Sequence, residues 1–519
     1  MIIRSESELL DEGIRAKVIN DIDSDTESKT RKEEHRKRRE VYNDRTREWA
    51  LRLIEKEFSG NTALEMQHRT PNLSLTKKIV DKKARVYKDR PLRVAETKAK
   101  QKMLDRLATA LCLDGFMKRV NRAVELHRNI LVKVLPTRNT EQSTDSKPMY
   151  DLGLEIVRPD AYDIIPDPAN PTKPLAVILS LYDDDGSFLQ DYASGDTTPS
   201  PLAESYASKG KQRDKRVFIF WTRNYHFATD AKGKIVKSMQ DDLTHPYGCL
   251  PFVPFAKEQA ETYWTGGGEG LADNAILINV LIADMNFSAK YQSTGVGYIF
   301  GDNIPQTVDI GPNKFLRIAY KEGEPVPQIG FATPNPSLGE NRQIIEQQLA
   351  FFLSSEGLEP GSISGSLGGQ ADATSGIQEM IRKSEPITSI EDEQQLYKDT
   401  EPEVLDVAAK ILEYYASHKA LSEEWAGLAE LGEPVYTLSF DRPTPFLTDK
   451  EKLELVALKK ASGFYTDTDL MRELFPDMGD KEIEEKKLEL AADKAAKSEL
   501  APEAEPEEDD KEEDNQPEA

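Results

Sequence analysis

The stretch GGGEGLADNAILINVLIADMNFSAKYQS, residues 266–293, decides the fold prediction for this chain of 519 residues. Its three consecutive glycines predict a hinge, and the residues that follow predict a helix from about Glu269 to Gln292, roughly 36 Å long at 1.5 Å per residue. Apolar residues lie on almost every side of this helix, so it must be surrounded. Two surroundings are open: the core of one globular domain, or neighbouring copies of the chain. A membrane is not favoured, because polar residues such as Asn279 and Asp284 would be costly in lipid.

A small β module and a second helix follow the apolar helix. Four short runs between residues 295 and 336, each ended by Gly or Pro, predict strands: VGYIFG, QTVDIG, KFLRIAY and PVPQIGF. Residues 338–357 predict a helix, with Ile344, Ile345, Leu349, Phe352 and Leu353 on one stripe. Two helices that flank a β module predict a stalk with a tip.

The chain before the hinge divides into a helical part and an α+β part. Residues 1–129 predict helices, among them a single long charged helix from Lys29 to Glu57. Residues 130–257 contain short β-branched and aromatic runs that predict strands, including a hairpin through the DAKG sequence at 230–233. Residues 187–214 predict a surface loop. The predicted fold class is α+β and mainly α.

The chain after the second helix begins with a glycine-rich loop, residues 358–376. This loop lacks the Lys-Ser or Lys-Thr pair of a phosphate-binding loop. A helical pattern from Gly376 to His418 contains Pro386 and Pro402, which predict a kink or break at both places. A strand to residue 445 and short helices over residues 446–500 follow, and the acidic tail from residue 501 is predicted to be disordered.

The net charge of −24 is unevenly distributed along the chain. Residues 31–138 contain 29 Lys and Arg against 14 Asp and Glu, whereas the tail of residues 501–519 carries a net charge of −9. The basic segment is either a solvated helical surface or a contact face for a partner such as nucleic acid. A soluble nucleic-acid-binding protein is therefore the alternative function.

No motif in the sequence predicts catalysis. The six histidines lack metal-ligand spacing, and no nucleophile elbow, kinase signature or dinucleotide fingerprint occurs. The chain is therefore expected to need no cofactor or metal and not to be an enzyme; a hydrolase would need a pocket that the sequence does not reveal. Two cysteines, an acidic N-terminus without a signal-peptide core and the lack of an 18-residue apolar run favour a reducing cytoplasm and no membrane span.

This order of segments resembles the portal family, the head-tail connectors of tailed double-stranded DNA bacteriophages. Three local sequences are similar to the family: NLSLTKKIVDKKARVYKDRP (72–91) to its early helix, HPYGCLPFVPF (245–255) to its lead into the stem, and ATSGIQEMIRKSEP (373–386) to the start of its kinked helix. The resemblance covers nearly the whole chain. It is carried by the order of the motifs, because each motif alone is weak.

The resemblance implies a ring-shaped homo-oligomer, usually of twelve subunits, at one capsid vertex of the virion. Double-stranded DNA would pass along its axis during packaging and ejection, after assembly in the host cytoplasm. The expected partners are the terminase, which hydrolyses ATP, the major capsid protein and scaffold, and the head-completion adaptor. The implied parts are a wing (1–129 and 130–257), a stem (258–293 and 337–357), a clip (294–336), a tunnel loop (358–376), a kinked wing helix (377–445) and a crown (446–500).

The resemblance also implies roles for individual residues. Stem residues expected in subunit contacts are Leu271, Ile278, Leu281, Met285, Ile345, Leu349 and Phe352. Clip residues expected to pack in the tip are Phe300, Ile310, Phe315 and Ile318. Residues expected to face the DNA channel are Ser362, Ser364, Ser366, Gln370 and Asp372 of the tunnel loop, with Lys290 and Arg342 of the stem. The tunnel loop has no cation, so we expect steric contact with DNA there, and any positive ring to come from Lys290 or Arg342.

Overall fold

The computed structural model describes residues 3–139, 141–143, 148–182, 216–258, 260–294, 296–300, 328–332, 338–358, 376–428 and 435–440, and a few residues between 456 and 487. For residues 291–294, 296–300, 328–332 and 376–389 it describes the backbone alone. The chain forms two compact units, Met1–Arg442 and Pro443–Ala519. It is a mixture of helices and strands, about 54% helical, which agrees with the predicted mainly helical α+β class.

The N-terminal part of the chain is helical, as predicted, after a short 3-10 turn at Glu6–Leu10. Its helices are α1 (Glu12–Ser24), α2 (Thr26–Tyr42), α3 (Thr46–Glu57), α4 (Gly60–Arg69), α5 (Leu75–Lys83), α6 (Lys98–Ala110) and α7 (Leu113–His127). The prediction of one helix from Lys29 to Glu57 is wrong, because the chain turns between α2 and α3. Asp44 there has a φ of 69°, a left-handed conformation that Asp adopts more readily than most residues. The Asp44 carbonyl accepts a hydrogen bond from Asn72 Nδ2 at 3.0 Å, which holds the turn.

All strand pairs of the described residues are antiparallel. The strands are β1 (Leu92–Ala95), β2 (Asn129–Arg138), β3 (Tyr150–Val157), β4 (Tyr162–Pro166), β5 (Pro174–Tyr182), β6 (Arg216–Trp221), β7 (His226–Thr229), β8 (Ile235–Ser238), β9 (Phe252–Ala256), β10 (Val296–Phe300), β11 (Gln328–Ala332) and β12 (Tyr436–Ser439). They form a three-stranded sheet of order β3-β2-β9, a five-stranded sheet β4-β5-β6-β7-β8, and the pairs β1-β12 and β10-β11. The predicted hairpin through residues 230–233 joins β7 to β8.

The five-stranded sheet is covered on both faces. Alternate residues of β6 belong to different clusters: Ile219 and Trp221 face the largest core, whereas Phe218 and Phe220 face a second core. This second core contains Ile3, Leu9, Val18 and Ile19 from the start of the chain. Because successive side chains of a strand point to opposite faces, a strand that is apolar at every position needs two coverings. The N-terminal turn and α1 provide one of them.

Four further helices complete the described part of the first unit. They are α8 (Gly270–Thr294), α9 (Leu338–Ser355), α10 (Gly376–Ser417) and α11 (Glu423–Ala426). The helix α10 is continuous through Pro386 and Pro402, so the predicted alternative of a break is wrong, whereas the alternative of a kink stays a prediction. Its second half is held by packing: Val404, Leu405, Ala408, Ile411 and Leu412 are buried in the largest core. Such burial outweighs the single backbone hydrogen bond that each proline removes.

Candidate functional site: the hinged helix pair

The glycine hinge adopts a conformation that other residues rarely adopt. Gly267 and Gly268 have φ values of 87° and 82°, in the left-handed region that favours glycine. Arg38 NH2 of α2 donates a hydrogen bond to the Gly267 carbonyl at 3.1 Å. A Cβ atom on Gly268 would lie 3.0 Å from Arg38 NH1 and 3.3 Å from Arg128 Nε. The hinge therefore fixes the direction in which α8 leaves the rest of the chain.

Polar contacts to the N-terminal helices hold α8 in place along its length. Asn279, which is fully buried, accepts a hydrogen bond from the Leu73 backbone N–H at 2.9 Å and donates one to the Ala275 carbonyl at 2.8 Å. Thr76 Oγ1 donates to the Leu271 carbonyl at 2.8 Å. A buried amide that finds partners costs far less than one without them. Asn279, whose polarity made a membrane-spanning helix unfavourable, thus anchors α8 to the segment that leads into α5.

Two of the residues predicted to form subunit contacts are covered within one chain. Leu271 and Ile278 are 3% and 2% exposed, in a cluster that includes Ile54 of α3 and Ile79 of α5. The N-terminal helices of the same chain therefore pack against one side of α8 and bury part of its apolar surface. Phe352 of α9 lies in the same cluster and is 3% exposed. These three side chains need no neighbouring subunit for their burial, so the predicted reason for their apolar character is corrected here.

Other apolar side chains of α8 and α9, which we call the helix pair, remain accessible. Leu277 is 41% exposed, Ile344 is 50% exposed and Phe351 is 68% exposed. Ile344 and Phe351 are seven residues apart, which places them two turns apart on one face of α9. The predicted contact residues Leu281, Met285, Ile345 and Leu349 are partly exposed. The helix pair therefore has one face in the core of the chain, and its exposed side carries apolar residues among polar ones such as Gln347 and Gln348.

The two stem cations predicted to face DNA are exposed and paired with carboxylates. Lys290 Nζ lies 3.0 Å from Glu65 Oε2 of α4, and Arg342 Nε lies 2.8 Å from Glu346 Oε1 one turn further along α9. Exposed pairs of this kind contribute little to stability. A phosphate group can therefore compete for either cation, but it must displace a carboxylate.

The remaining predicted site residues lie outside the described side chains. Phe300 is the last residue of β10, where the backbone alone is described. The clip residues Ile310, Phe315 and Ile318 and the tunnel-loop residues Ser362, Ser364, Ser366, Gln370 and Asp372 lie outside the described residues. The two predicted clip strands that are described, VGYIF and QIGFA, pair with each other from Val296↔Ala332 to Phe300↔Gln328. The pairing of these two predicted strands is confirmed, whereas their position at a tip stays a prediction.

A buried ion pair anchors α10 to the two-stranded sheet β1-β12. The Glu401 carboxylate of α10 is fully buried and accepts hydrogen bonds from Arg93 of β1, from Tyr87 Oη at 2.6 Å and from Tyr436 Oη of β12 at 3.1 Å. Burial, followed by the Glu401 charge, raises the pKa of Tyr87 well above its usual value, so this phenol stays a hydrogen-bond donor. The segment that follows the predicted tunnel loop thus has a rigid attachment.

A second group of buried charges joins α5, α7, α9 and α10. Lys257, directly after β9, pairs with Glu125 of α7 and lies 3.2 Å from Glu393 of α10. Lys83 of α5 lies 4.0 Å from Glu125 and 2.8 Å from Glu356, the residue after α9. Burial and then the neighbouring Glu125 charge raise the pKa of Glu393 to about 7. Sequence reasoning missed this group, because its members lie far apart in the chain and no local pattern connects them.

Comparison with known proteins does not place this chain in a family. A scan against protein-family models gave no match, and a search of curated proteins likewise found no similar sequence. Within the part of the chain that the structure describes, no group of three or more His, Cys, Asp or Glu side chains is arranged to hold a metal ion. Among the same residues, no helix combines the length and the apolar character that crossing a bilayer requires. A functional assignment therefore rests on the chain's own residues and on their arrangement.

Proposed function

We propose that this chain is a portal subunit. It forms a ring, usually of twelve copies, at one capsid vertex, through which viral double-stranded DNA is packaged and later ejected. The observation that carries the proposal is the order of elements around the helix pair. A glycine hinge leads into α8, a β-hairpin interrupts the chain, and α9 returns to pack on α8.

The closed β-hairpin supports a separate tip at the end of the helix pair. The strand β10 begins at Val296, two residues after α8 ends, and pairs there with Ala332 at the end of β11. The strand that follows α8 therefore pairs along its length with the strand that precedes α9. In a portal this tip is the clip, which meets the terminase during packaging and the head-completion adaptor afterwards. The wing, in contrast, faces the capsid protein and scaffold.

The exposed apolar face of α9 supports assembly into a ring. A ring needs a head-to-tail interface, in which one surface of each subunit contacts a different surface of the next. Ile344 and Phe351 supply an apolar surface on α9, and Leu277 with the partly exposed Leu281 supplies one on α8. Burial of these half-exposed side chains between subunits would stabilise the ring by about 0.5–2 kcal/mol for each of them, a fraction of the value for a fully exposed side chain.

The stem cations give the proposal a test on DNA. A channel must allow DNA to slide, so weakly paired cations suit it better than a tight phosphate site. Replacing Lys290 and Arg342 together by alanine is expected to change packaging and its dependence on salt. Unchanged packaging at every salt concentration would show that these two residues do not contact DNA in the channel. It would not contradict the formation of a ring.

The alternative, a monomeric nucleic-acid-binding protein, would use the basic N-terminal helices. Several of their cations already serve the fold: Asp163 pairs with Arg31 and Lys32, and Asp160 pairs with Arg39. Cations paired in this way add less to a phosphate-binding surface than the excess of positive charge suggests. This observation favours the portal proposal.

Mass and shape of the purified full chain separate the two functions. Light scattering is expected to give a particle of roughly half a megadalton or more, as a closed ring of many subunits requires, against 58.4 kDa for one chain. Negative-stain images are expected to show a central hole. A chain that remains a 58.4 kDa monomer at high protein concentration and binds DNA would refute the portal proposal.

A further inference from the structure

A cavity of about 460 Å³ opens between α2, α7 and the end of β3. Its lining includes Arg39 and Tyr42 from α2, Phe116 and His127 from α7, and Arg158 directly after β3. A volume of this size is within the usual range of small-molecule sites. The cavity lies apart from the helix pair, and none of the roles proposed above uses it.

The charge of the lining strongly favours an anion. Four guanidinium groups, those of Arg39, Arg119, Arg122 and Arg158, line the cavity beside a single carboxylate, Glu155. Glu155 itself accepts a hydrogen bond from the buried Lys133 at 2.9 Å, so its charge is already balanced. Guanidinium groups are the preferred partners of phosphate, because their planar N–H groups can contact two oxygens at once.

The carboxylates that pair with these arginines lie outside the lining. Asp160 lies 3.0 Å from Arg39 NH1 and 3.3 Å from Arg158 Nε. Asp81 pairs with Arg122 Nε at 3.4 Å, and Arg119 stacks over the Phe116 ring with 5.4 Å between Cζ and the ring centroid. The acids thus hold the guanidinium groups in position, whereas the cavity itself keeps an excess of positive charge.

A buried imidazole with one unpaired nitrogen lies in the wall of the same cavity. His127 is 2% exposed, and its Nδ1 atom makes no hydrogen bond. Burial, and then the charges of Arg158, Arg38 and Arg39, hold the pKa of His127 well below its usual value. The Nδ1 atom is itself closed off from solvent, so the ring gives the cavity a neutral wall and adds no charge to it.

The rest of the lining is apolar. Leu126 and Ala123 of α7 and Leu154 and Ile156 of β3 face the cavity together with the rings of Tyr42 and Phe116. An inorganic anion would leave this surface uncovered, and an uncharged apolar ligand would leave the excess positive charge of the lining unbalanced. A ligand with a phosphate group and a flat organic part suits both the charged and the apolar part of the lining. The phosphate would contact the guanidinium groups, and the flat part would stack on guanidinium and aromatic groups, which both stack on bases.

We infer that this cavity binds a small phosphorylated ligand of the nucleoside phosphate class. Free nucleotide and the phosphates of duplex DNA share the chemistry that the arginines recognise. The concave shape commits the site to the free ligand, since a duplex cannot place its stacked bases in a cavity of this size. The inference concerns one chain and does not depend on ring formation.

Calorimetric titration of the full chain tests the inference, with ADP as the probe. We expect saturable binding with one ADP per chain, at least tenfold weaker binding of adenosine, which lacks phosphate, and at least tenfold weaker binding of pyrophosphate, which lacks the organic part. Duplex DNA is expected not to displace ADP. Adenosine or pyrophosphate binding as tightly as ADP, or displacement of ADP by the duplex, would overturn the assignment, as would the absence of ADP binding at millimolar concentration.

A matched pair of substitutions locates the site. Arg119→Gln and Arg122→Gln are expected to weaken ADP binding at least tenfold each, with an unchanged melting temperature. Arg52→Gln is the control, because Arg52 is another exposed arginine stacked on an aromatic ring, here Trp49 at 4.6 Å, but it lies away from the cavity. Binding that is equally weak in all three variants, or unchanged in the first two, would place the ligand elsewhere and overturn the inference.

Discussion

Arg93 and Glu401 form a two-point ion pair in the interior of the chain, with Arg93 Nε 2.7 Å from one carboxylate oxygen and NH2 3.1 Å from the other. Their side chains are 4% and 0% exposed. A pair of this kind ties a strand near residue 93 to a helix near residue 401. Removing Glu401 leaves Arg93 with Asp114 as its remaining carboxylate, 2.6 Å from NH1, and leaves the buried Tyr87 hydroxyl without its acceptor.

Glu401→Ala is therefore expected to lower the free energy of unfolding by about 3–5 kcal/mol, the usual cost of breaking a buried pair. Glu403→Ala is the matched control on the same helix, because its partner Lys173 lies 3.0 Å away at the surface. Its expected effect is below about 1 kcal/mol. Urea unfolding measures both values, and equal losses in the two variants would contradict the role of Glu401 as an anchor.

Gly268→Ala is expected to destabilise the chain and to disturb the start of α8. A left-handed backbone costs an L-residue about 1–2 kcal/mol, and the new Cβ would also press on Arg38. Gly266→Ala is the control two residues earlier, where a Cβ would meet no atom within 4 Å. Melting temperatures of the two variants should differ by several degrees. Equal melting temperatures would show that the hinge tolerates side chains at both places.

Phe351→Asp is expected to prevent assembly without unfolding the subunit. The Phe351 side chain is 68% exposed in one chain, so a charge at this position costs little in the monomer. In the proposed interface the same charge would be buried. Val236→Asp, at a residue 46% exposed on β8, is the control. Light scattering should then find small particles for the first variant alone. Full-size rings from the Phe351→Asp variant would show that the subunit contact does not lie on this side of α9.

Glu393 predicts a pH dependence whose sign follows from its raised pKa of about 7, against 4.5 for the unconstrained side chain. Between these values the folded chain binds more protons than the unfolded chain, so this group's contribution to stability is full below pH 4.5 and is lost as the pH rises through 7. Glu393→Gln removes that loss. The stability of the variant relative to the natural chain should rise between pH 5 and 8, by about 1–3 kcal/mol. A constant difference across this range would contradict the shift.

His35 predicts the opposite trend. Burial, together with the positive charges of Arg38 and Arg31, lowers the pKa of His35 to about 2, so the ring stays neutral in the folded chain while the unfolded chain takes up a proton below about pH 6.5. Its contribution to stability is present above pH 6.5 and is lost as the pH falls. His35→Phe should therefore show a shallower loss of stability between pH 6.5 and 5 than the natural chain. Parallel curves would exclude a buried neutral ring at this position.

Local sequence patterns predicted a helix or a strand correctly where the periodicity of apolar residues and the turn residues determine the element. The apolar runs that became β5 and β6, the hairpin of β7 and β8, and the helix that became α8 all follow from periodicity and turn residues. Where tertiary packing decides, the sequence misled. Pro386 and Pro402 predicted a kink or a break in α10, and no break occurs, because the burial of the second half of this helix outweighs the lost hydrogen bonds.

The candidate site was predictable only in part, for a physical reason. Periodicity shows that α8 must be covered, but it cannot distinguish cover by the chain's own helices from cover by a neighbour. Leu271 and Ile278 have the first kind of cover, and the exposed Leu277 lacks it. Cavities and buried ion pairs, such as the arginine-lined cavity and the Glu393 group, join residues hundreds of positions apart and leave no local pattern.

The covering of the five-stranded sheet by the start of the chain has a consequence for synthesis. Arg15 Nε donates a hydrogen bond to the Gly233 carbonyl at 2.8 Å, across a separation of 218 residues. At about 5–20 residues per second, a ribosome needs roughly 10–40 s to make the intervening polypeptide. During that interval Leu9 and Ile19 have emerged, whereas the phenylalanines that will receive them have not been translated. Until translation reaches the sheet, the apolar side chains of Leu9 and Ile19 therefore lack the surface that covers them in the folded chain.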